Sequence, residues 1–162
     1  MTERLILKML TVVGFLLLPF MYKRPVKDWV LVFFLKAFYS LFLDSIVVSK
    51  KRINYPIRLL PNYFKAHILF DCLLFPMICV LYNQITYRST LVGIFFKVFL
   101  FSVPMTLLEH FAERYTKLIK YRKWKDAYTF ISVSLTFWLV RATIGLVRQL
   151  EGMSDKKTNE NE

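Results

Sequence analysis

Two short segments of the sequence carry side chains that could bind a metal ion or transfer protons. His67 and Asp71 are four residues apart in HILFD, and Glu109 and Glu113 are four residues apart in EHFAE, with His110 beside them. Residues at this spacing share one face of an α-helix, and imidazole and carboxylate groups are ordinary zinc ligands. A metal ion held by these five residues could activate water for hydrolysis inside a membrane. One hypothesis is therefore a membrane-embedded metal-dependent enzyme.

The same residues also have a simpler interpretation. Their spacing matches neither the HExxH motif of zinc enzymes nor the paired Glu-x-x-His of di-iron bundles. The carboxylates could instead pair with the many Lys and Arg residues of the adjoining segments. The sequence contains no GxSxG motif, no CxxC motif and no glycine-rich phosphate loop. Nucleophilic catalysis is therefore not indicated, and no cofactor is predicted.

Three basic residues, Lys36, Lys97 and Arg141, lie inside apolar segments. A charge at the centre of a bilayer costs roughly 2.5–3.5 kcal/mol, so each needs a compensating interaction. At a rise of 1.5 Å per residue, all three lie about 10–12 Å from the outer ends of their segments. Converging cations repel one another, and a lipid phosphate or a small carboxylate would relieve that repulsion. We predict that they form an anion- or lipid-binding site; in the alternative, the two lysines extend separately to the headgroups.

Polar residues of opposite sign lie nearer the other ends of the same segments. Asp44 and Asp71 are about 6–7 Å from the inner boundary, and Glu109 is closer to it. Asn83 and Gln84 follow in the segment that begins near Asp71. Hydrocarbon provides no hydrogen-bond partner, so these five side chains are predicted to face the interior of a helix bundle.

The segments that must position these residues are long and apolar. The chain has 162 residues, of which 56% are hydrophobic and 17% are aromatic. Runs of about 20 apolar residues match the thickness of a bilayer core. The pattern predicts an all-α, polytopic bundle formed by residues 1–150 and a disordered polar tail at 151–162. About five transmembrane helices are expected, near residues 9–21, 29–48, 67–86, 91–108 and 128–147.

A net charge of +12 is compatible with binding to nucleic acid or to anionic lipid, and the positions of the cations along the chain distinguish the two. The cations are concentrated in short segments between the apolar runs, which favours anionic lipid over nucleic acid as a partner. Two of these segments, KKRINYPIRLLPNYFK and RYTKLIKYRKWK, interleave cations with aromatic residues. This composition is typical of chain lying at the level of the lipid headgroups. Ordinary topology determinants with an aromatic belt have the same composition.

The orientation follows from counting these cations. With a cytoplasmic N-terminus, thirteen Lys and Arg residues lie on the inner side and seven on the outer side. The positive-inside rule therefore predicts a cytoplasmic N-terminus and an external C-terminus. The first apolar segment also resembles a signal peptide. It ends in LLLPFMYKRP without a small-residue cleavage pattern, so we interpret it as an uncleaved helix.

Three runs of the sequence are similar to a known family. YPIRLLPNYF, ILFDCLLFPMICVLYNQITY and VFLFSVPMTLLEH resemble small uncharacterised multi-pass membrane proteins of endospore-forming bacilli and clostridia. The similarity covers roughly residues 20–150. It implies a location in a bacterial cytoplasmic membrane. It implies no activity, and it offers no catalytic residues to transfer to this chain.

The combined prediction is a non-enzymatic integral membrane protein. It would bind an anionic lipid or a small anion, or assemble with other membrane proteins or with further copies of itself. The metal-dependent enzyme is the first alternative. A small transporter is the second, and a chain of 162 residues would need to form a dimer to enclose a transport path.

Overall fold

The structure, a computed structural model, describes residues 2–59 and 63–159. Within these ranges the chain is helical apart from its connections and one two-stranded ribbon. A 3₁₀ turn, Leu18–Tyr22, follows helix α1, and a π-helical turn, Phe70–Leu74, leads directly into helix α3. The helices are α1 Thr2–Leu17, α2 Val26–Ser49, α3 Phe75–Ile85, α4 Leu91–Lys97, α5 Phe99–Tyr115 and α6 Asp126–Asn159; the strands are β1 Ile53–Asn54 and β2 Lys120–Tyr121.

The predicted all-α bundle is confirmed, and the protein is a membrane protein by the length and composition of its helices. Four helical segments are long and apolar enough to cross a bilayer: Glu3–Tyr22, Val26–Ser49, Leu91–Tyr115 and Asp126–Met153. The helix predicted at 67–86 is shorter, Phe70–Ile85. At 1.5 Å per residue it is still about 24 Å long, which is close to the thickness of the hydrocarbon layer.

Large apolar side chains cover the outside of the bundle. Leu16, Phe34, Leu91, Leu108 and Leu146 are each between 61% and 84% exposed. An exposed apolar surface of this extent is unfavourable in water and favourable against lipid tails. The outward faces therefore agree with a bundle built for a bilayer.

Two ends of the bundle are defined by contacts between segments that are distant in sequence. At one end, Leu7 of α1 packs with Leu69 and with Leu118 of the loop after α5. At the other end, Nε2 of Gln84 donates a hydrogen bond of 2.8 Å to the carbonyl oxygen of Phe20. The short Phe70–Ile85 segment therefore runs alongside the first segment between the same two ends.

The ribbon joins the loops that follow α2 and α5. Ile53 pairs with Tyr121 and Asn54 with Lys120 in antiparallel register. The backbone N–H of Ile57 donates to the carbonyl of Lys117 at 3.2 Å and extends the pairing. Both loops therefore lie at one end of the bundle, called here the ribbon end and comprising residues 50–59, 63–69 and 116–125.

The apolar core lies between α2, α3 and α6. Trp29, Val32, Val80, Phe137 and Val140 are each at most 2% exposed and form one cluster. These residues come from three helices that pack in contact with one another. Burial of this cluster fixes how the three helices are rotated, and so decides which polar residues face inward.

Some predicted boundaries differ from those of the structure. The helical backbone continues to Asn159, nine residues into the tail predicted to be disordered from 151, while residues 160–162 lie outside the described chain. The segment predicted at 91–108 is interrupted at Val98 and extends to Tyr115. The π-helical turn lies immediately before Pro76, in the first turn of α3. A wider turn of this kind accommodates the proline that cannot donate to the preceding turn.

Candidate functional site: a polar chamber in the bundle

A cavity of about 130 Å³ lies among α2, the π-helical turn, α5 and α6, and the ribbon end covers it. Three carboxylates line it, those of Asp44, Asp71 and Glu109, together with the ammonium of Lys36 and the hydroxyl of Ser40. The volume is sufficient for several waters or one small molecule. We call this cavity the polar chamber.

Lys36 enters the chamber from α2. Its side chain is 2% exposed, and Nζ donates a hydrogen bond of 2.7 Å to Oγ1 of Thr136 on α6. Nζ also lies 5.1 Å from the ring centroid of Phe137 and 6.0 Å from that of Phe75. Lys36, Ser40 and Asp44 follow one another at intervals of four residues, and this face of α2 points into the chamber.

Asp44 and Asp71 come together on the ribbon-end side of the chamber. Oδ1 of Asp44 accepts a hydrogen bond of 2.6 Å from the hydroxyl of Tyr55. The carboxyl groups of Asp44 and Asp71 both line this part of the chamber. Asp71 belongs to the π-helical turn, where its own N–H donates to the carbonyl of His67 at 3.1 Å. The π-helical turn therefore places the Asp71 carboxylate in the chamber beside α2.

Glu109 is held by the second loop of the ribbon end. Its Oε1 accepts hydrogen bonds from the hydroxyl of Tyr121 at 2.8 Å and from Oγ1 of Thr129 at 3.0 Å. Nε1 of Trp124 donates to the same Thr129 oxygen at 2.8 Å. The loop, the start of α6 and the carboxylate therefore form one hydrogen-bonded network.

Several buried polar atoms of the chamber have no hydrogen-bond partner among the described residues. They are Oδ2 of Asp71, Oδ2 of Asp44 and Oγ of Ser40, and the Asp71 and Ser40 residues are only 5% and 6% exposed. Most buried polar groups in proteins are satisfied, because an orphaned group costs about 1–3 kcal/mol. The two carboxylate oxygens can accept hydrogen bonds from an occupant of the chamber, and the Ser40 hydroxyl can donate to it or accept from it.

The two phenols at the ribbon end are held in their protonated form. Burial raises the pKa of Tyr55 well above its ordinary value, and the nearby Asp44 charge raises it further. Burial and the Glu109 charge likewise raise the pKa of Tyr121. Both hydroxyls therefore act as hydrogen-bond donors to carboxylates throughout the neutral range.

The three predicted cations do not share one site. Lys97 is exposed and donates through Nζ to Oγ of Ser89 at 2.9 Å, whereas Lys36 is buried among carboxylates. Arg141 donates through Nη2 to the carbonyl of Thr86 at 3.2 Å. Similar depth along three helices did not place the side chains together, because depth does not fix the rotation of each helix about its axis.

The other two residues predicted to face the interior, Asn83 and Gln84, also lie apart from the chamber. Asn83 is 2% exposed, and its amide donates to the carbonyl of Cys79 at 2.9 Å. Gln84, next in sequence, instead bonds to Phe20 of the first segment. Neither residue lines the chamber.

The residues proposed as metal ligands are distributed over separate environments. His67 is buried between the rings of Tyr55 and Phe70, with centroid distances of 5.4 and 4.5 Å, and burial lowers its pKa to about 4. Nδ1 of His110 pairs with Oδ2 of Asp126 at 2.9 Å.

Two of the predicted ligands, Asp71 and Glu109, line the chamber, and Glu113 does not. Among the residues that the structure describes, no group of three or more His, Cys, Asp and Glu side chains is arranged to hold a metal ion.

No spacing pattern in the sequence indicates the partners of the chamber's charged groups. Tyr55, Tyr121 and Trp124 come from the two basic, aromatic loops, and Thr129 and Thr136 come from α6. The aromatic content of the loops was visible in the sequence. It was interpreted as a membrane-interface feature, and only the ribbon pairing shows that these side chains turn inward.

No protein-family model, curated protein or solved structure matches the chain. The family resemblance of the three runs quoted above therefore stays a prediction. A function for this protein has to be argued from the geometry of the chamber itself.

Proposed function

We propose that this membrane protein binds a small monovalent ammonium in the polar chamber, in competition with protons. The observation that carries the proposal is the excess of acid: three carboxylates face one lysine, and Oδ2 of Asp71 has no donor among the described residues. Intramembrane ionisable groups are costly and are usually retained for function. An amine supplies both the missing positive charge and the missing N–H donors.

The charge balance supports an occupant that is cationic. Lys36 supplies one positive charge against three carboxyl groups, in a low-dielectric interior where uncompensated charge is strongly unfavourable. The adjacent carboxyl groups of Asp44 and Asp71 can share one proton, as closely spaced acid pairs do. With Lys36 and one shared proton, a single negative charge remains, and a bound monovalent ammonium would neutralise it in place of a second proton.

The walls of the chamber also suit an amine with a short alkyl group. Phe75 and Trp124 line it beside the carboxylates. Aromatic rings attract ammonium groups and pack against methylene groups. A small anion, our initial expectation for Lys36, would instead meet three carboxylates, so the chamber gives that alternative no support.

The orientation and location belong to the same proposal. We propose that the ribbon end faces the cytoplasm of a bacterial cell, with the C-terminus outside. The pairing of β1 with β2 supports this, because it gathers two of the most basic segments at the end where α1 begins. The chamber would then exchange its occupant with the cytoplasmic side. A transport role would need a second state that opens towards the other side.

The decisive experiment is isothermal titration of ethylammonium into the full chain in lipid nanodiscs at constant ionic strength. The wild type should show saturable binding that strengthens with rising pH, because fewer protons then compete with the ammonium for the carboxylates of the chamber. The Asp71→Asn variant should bind at least tenfold more weakly. Equal affinity for ethylammonium and sodium ions would reject the amine specificity.

Glu113 offers a matched control, because it lies one helical turn from Glu109 but does not line the chamber. The Glu113→Gln variant should retain wild-type affinity, whereas Glu109→Gln should weaken binding. Equal loss in Glu113→Gln and Glu109→Gln would show that the measured heat reports general surface charge. That result would reject the chamber as the site.

A further inference from the structure

A second concave surface lies outside the chamber, where α2 ends at the ribbon end. It is a groove of about 730 Å³ between the last turns of α2 and the loop on either side of residues 60–62. Among the described residues, the groove and the chamber share only Ile53. We infer that this groove binds the headgroup of an anionic glycerophospholipid.

The charges of the groove are all of one sign. Lys51, Arg58, Lys65 and Arg122 line it, and the described part of its lining includes no carboxylate. This is the reverse of the chamber, where carboxylates outnumber the single lysine. Basic clusters at the membrane surface attract anionic lipid. A zwitterionic lipid would bring its own ammonium against four cations and would be disfavoured.

The apolar part of the groove lies where acyl chains would run. Leu41 and Val48 of α2 form one wall. Phe38 and Phe42, on the same helix, are 63% and 57% exposed on the outside of the bundle. Since α2 is of membrane-spanning length and ends at Ser49, the groove lies at the headgroup level. A phosphate on the cations would therefore leave the lipid tails against α2.

Hydrogen bonds to backbone carbonyls hold the Arg58 side chain and the backbone at Arg122 in position. Arg58 donates through Nε to the carbonyl of Phe64 at 2.7 Å and through Nη1 to that of Tyr55 at 2.8 Å. The N–H of Arg122 donates to the carbonyl of Arg52 at 2.9 Å, next to the ribbon. A preorganised basic site loses less conformational entropy on binding than flexible lysines do. These contacts favour a defined lipid site over diffuse attraction.

The test is native mass spectrometry of the full chain, released from detergent after equilibration with lipids of identical acyl chains. The wild type should retain one phosphatidylglycerol, at least tenfold more than phosphatidylethanolamine. The double variant Lys65→Gln/Arg122→Gln removes two groove charges from exposed side chains and should retain about tenfold less phosphatidylglycerol. Equal retention of the two lipids by the wild type would overturn the inference.

Lys120 and Lys123 provide the matched control, because both are exposed at the same end but do not line the groove. The Lys120→Gln/Lys123→Gln variant should retain the lipid as the wild type does, and equal loss in the two double variants would overturn the inference. The charge-conserving Lys65→Arg/Arg122→Lys variant should also retain the lipid.

Free glycerol phosphate at millimolar concentration should not displace the lipid. Complete displacement would identify a small-anion site and overturn the lipid assignment. Amine binding in the chamber is measured separately, so the failure of one proposal leaves the other in place.

Discussion

The hydroxyl of Tyr55 donates a 2.6 Å hydrogen bond to Oδ1 of Asp44, and this contact closes the polar chamber at the ribbon end. Tyr55 follows β1 directly and is 8% exposed, whereas Asp44 belongs to α2. The contact therefore couples the position of a loop to a carboxylate inside the bundle. Any opening of the chamber towards this end must break it.

Replacing Tyr55 with Phe removes that donor and keeps the ring. Oδ2 of Asp44 has no partner among the described residues, and Oδ1 accepts the bond from Tyr55. The variant therefore removes the phenol donor from a carboxylate whose other oxygen is already unpartnered. We expect the free energy of unfolding to fall by about 1–3 kcal/mol. Thermal unfolding in detergent, followed by circular dichroism, measures the change. Tyr63→Phe, at a residue that is 80% exposed, should behave as wild type; equal loss in both variants would contradict this role of Tyr55.

Lys36 is the only cation among the described residues that line the chamber. The Lys36→Met variant keeps most of the volume but leaves three carboxylates without their internal counter-charge. The variant also removes the hydrogen bond from Nζ to Thr136, so we expect a loss of stability in detergent titrations with sodium dodecyl sulfate. In the Lys36→Met/Asp71→Asn double variant, part of the lost stability should be recovered. Strictly additive effects of the two substitutions would show that Lys36 and Asp71 do not interact.

His67 should make stability depend on pH. Burial lowers its pKa to about 4 from an ordinary 6.5, and the Arg58 charge contributes; Asp44 and Tyr55 are the other ionisable groups that face it. The unfolded chain therefore takes up a proton at higher pH than the folded chain does. Stability is complete above pH 6.5 and falls towards pH 4, by roughly 3 kcal/mol in total.

The measurement is the difference in thermal midpoint between pH 7.5 and pH 4.5 in detergent. Carboxylates titrate in both proteins, so the informative quantity is the comparison of wild type with His67→Leu. The variant removes the titrating ring, whose two nitrogens have no partner among the described residues. It should lose less stability on acidification than the wild type. An identical pH dependence in the two proteins would rule out His67 as its source.

The helices and the inward face of α2 could be predicted from the sequence. Apolar runs of sufficient length have few alternatives to membrane-spanning helices, and the four-residue interval of Lys36, Ser40 and Asp44 defines one helix face. The predicted position of Asp71 in the interior was also informative. Each of these predictions depends on a single helix and its period.

The tertiary partners could not be predicted in the same way. Lys97 and Arg141 have similar depths to Lys36, but the rotation of each helix is set by packing of residues such as Phe137 and Val140. The bonds from Tyr55 and Tyr121 to the carboxylates depend on the pairing of two loops that are more than 60 residues apart in sequence. Single-helix periodicity carries no information on either relationship.

Gly14 provides the last prediction, since it marks the closest approach of α1 to the π-helical turn. A Cβ at this buried glycine would lie only 2.7 Å from Cγ of Leu73, and 3.3 Å from Cδ2 of Leu74, so Gly14→Ala must shift these side chains, α1 or the turn that carries Asp71. Overpacking of this kind costs about 1–3 kcal/mol, and we expect both a lower thermal midpoint and weaker amine binding.

Gly145→Ala is the control, because nothing lies within 4 Å of the new Cβ and alanine favours a helix more than glycine does. Its midpoint should be unchanged or higher. A Gly14→Ala variant as stable as Gly145→Ala would show that the two segments are not in close contact.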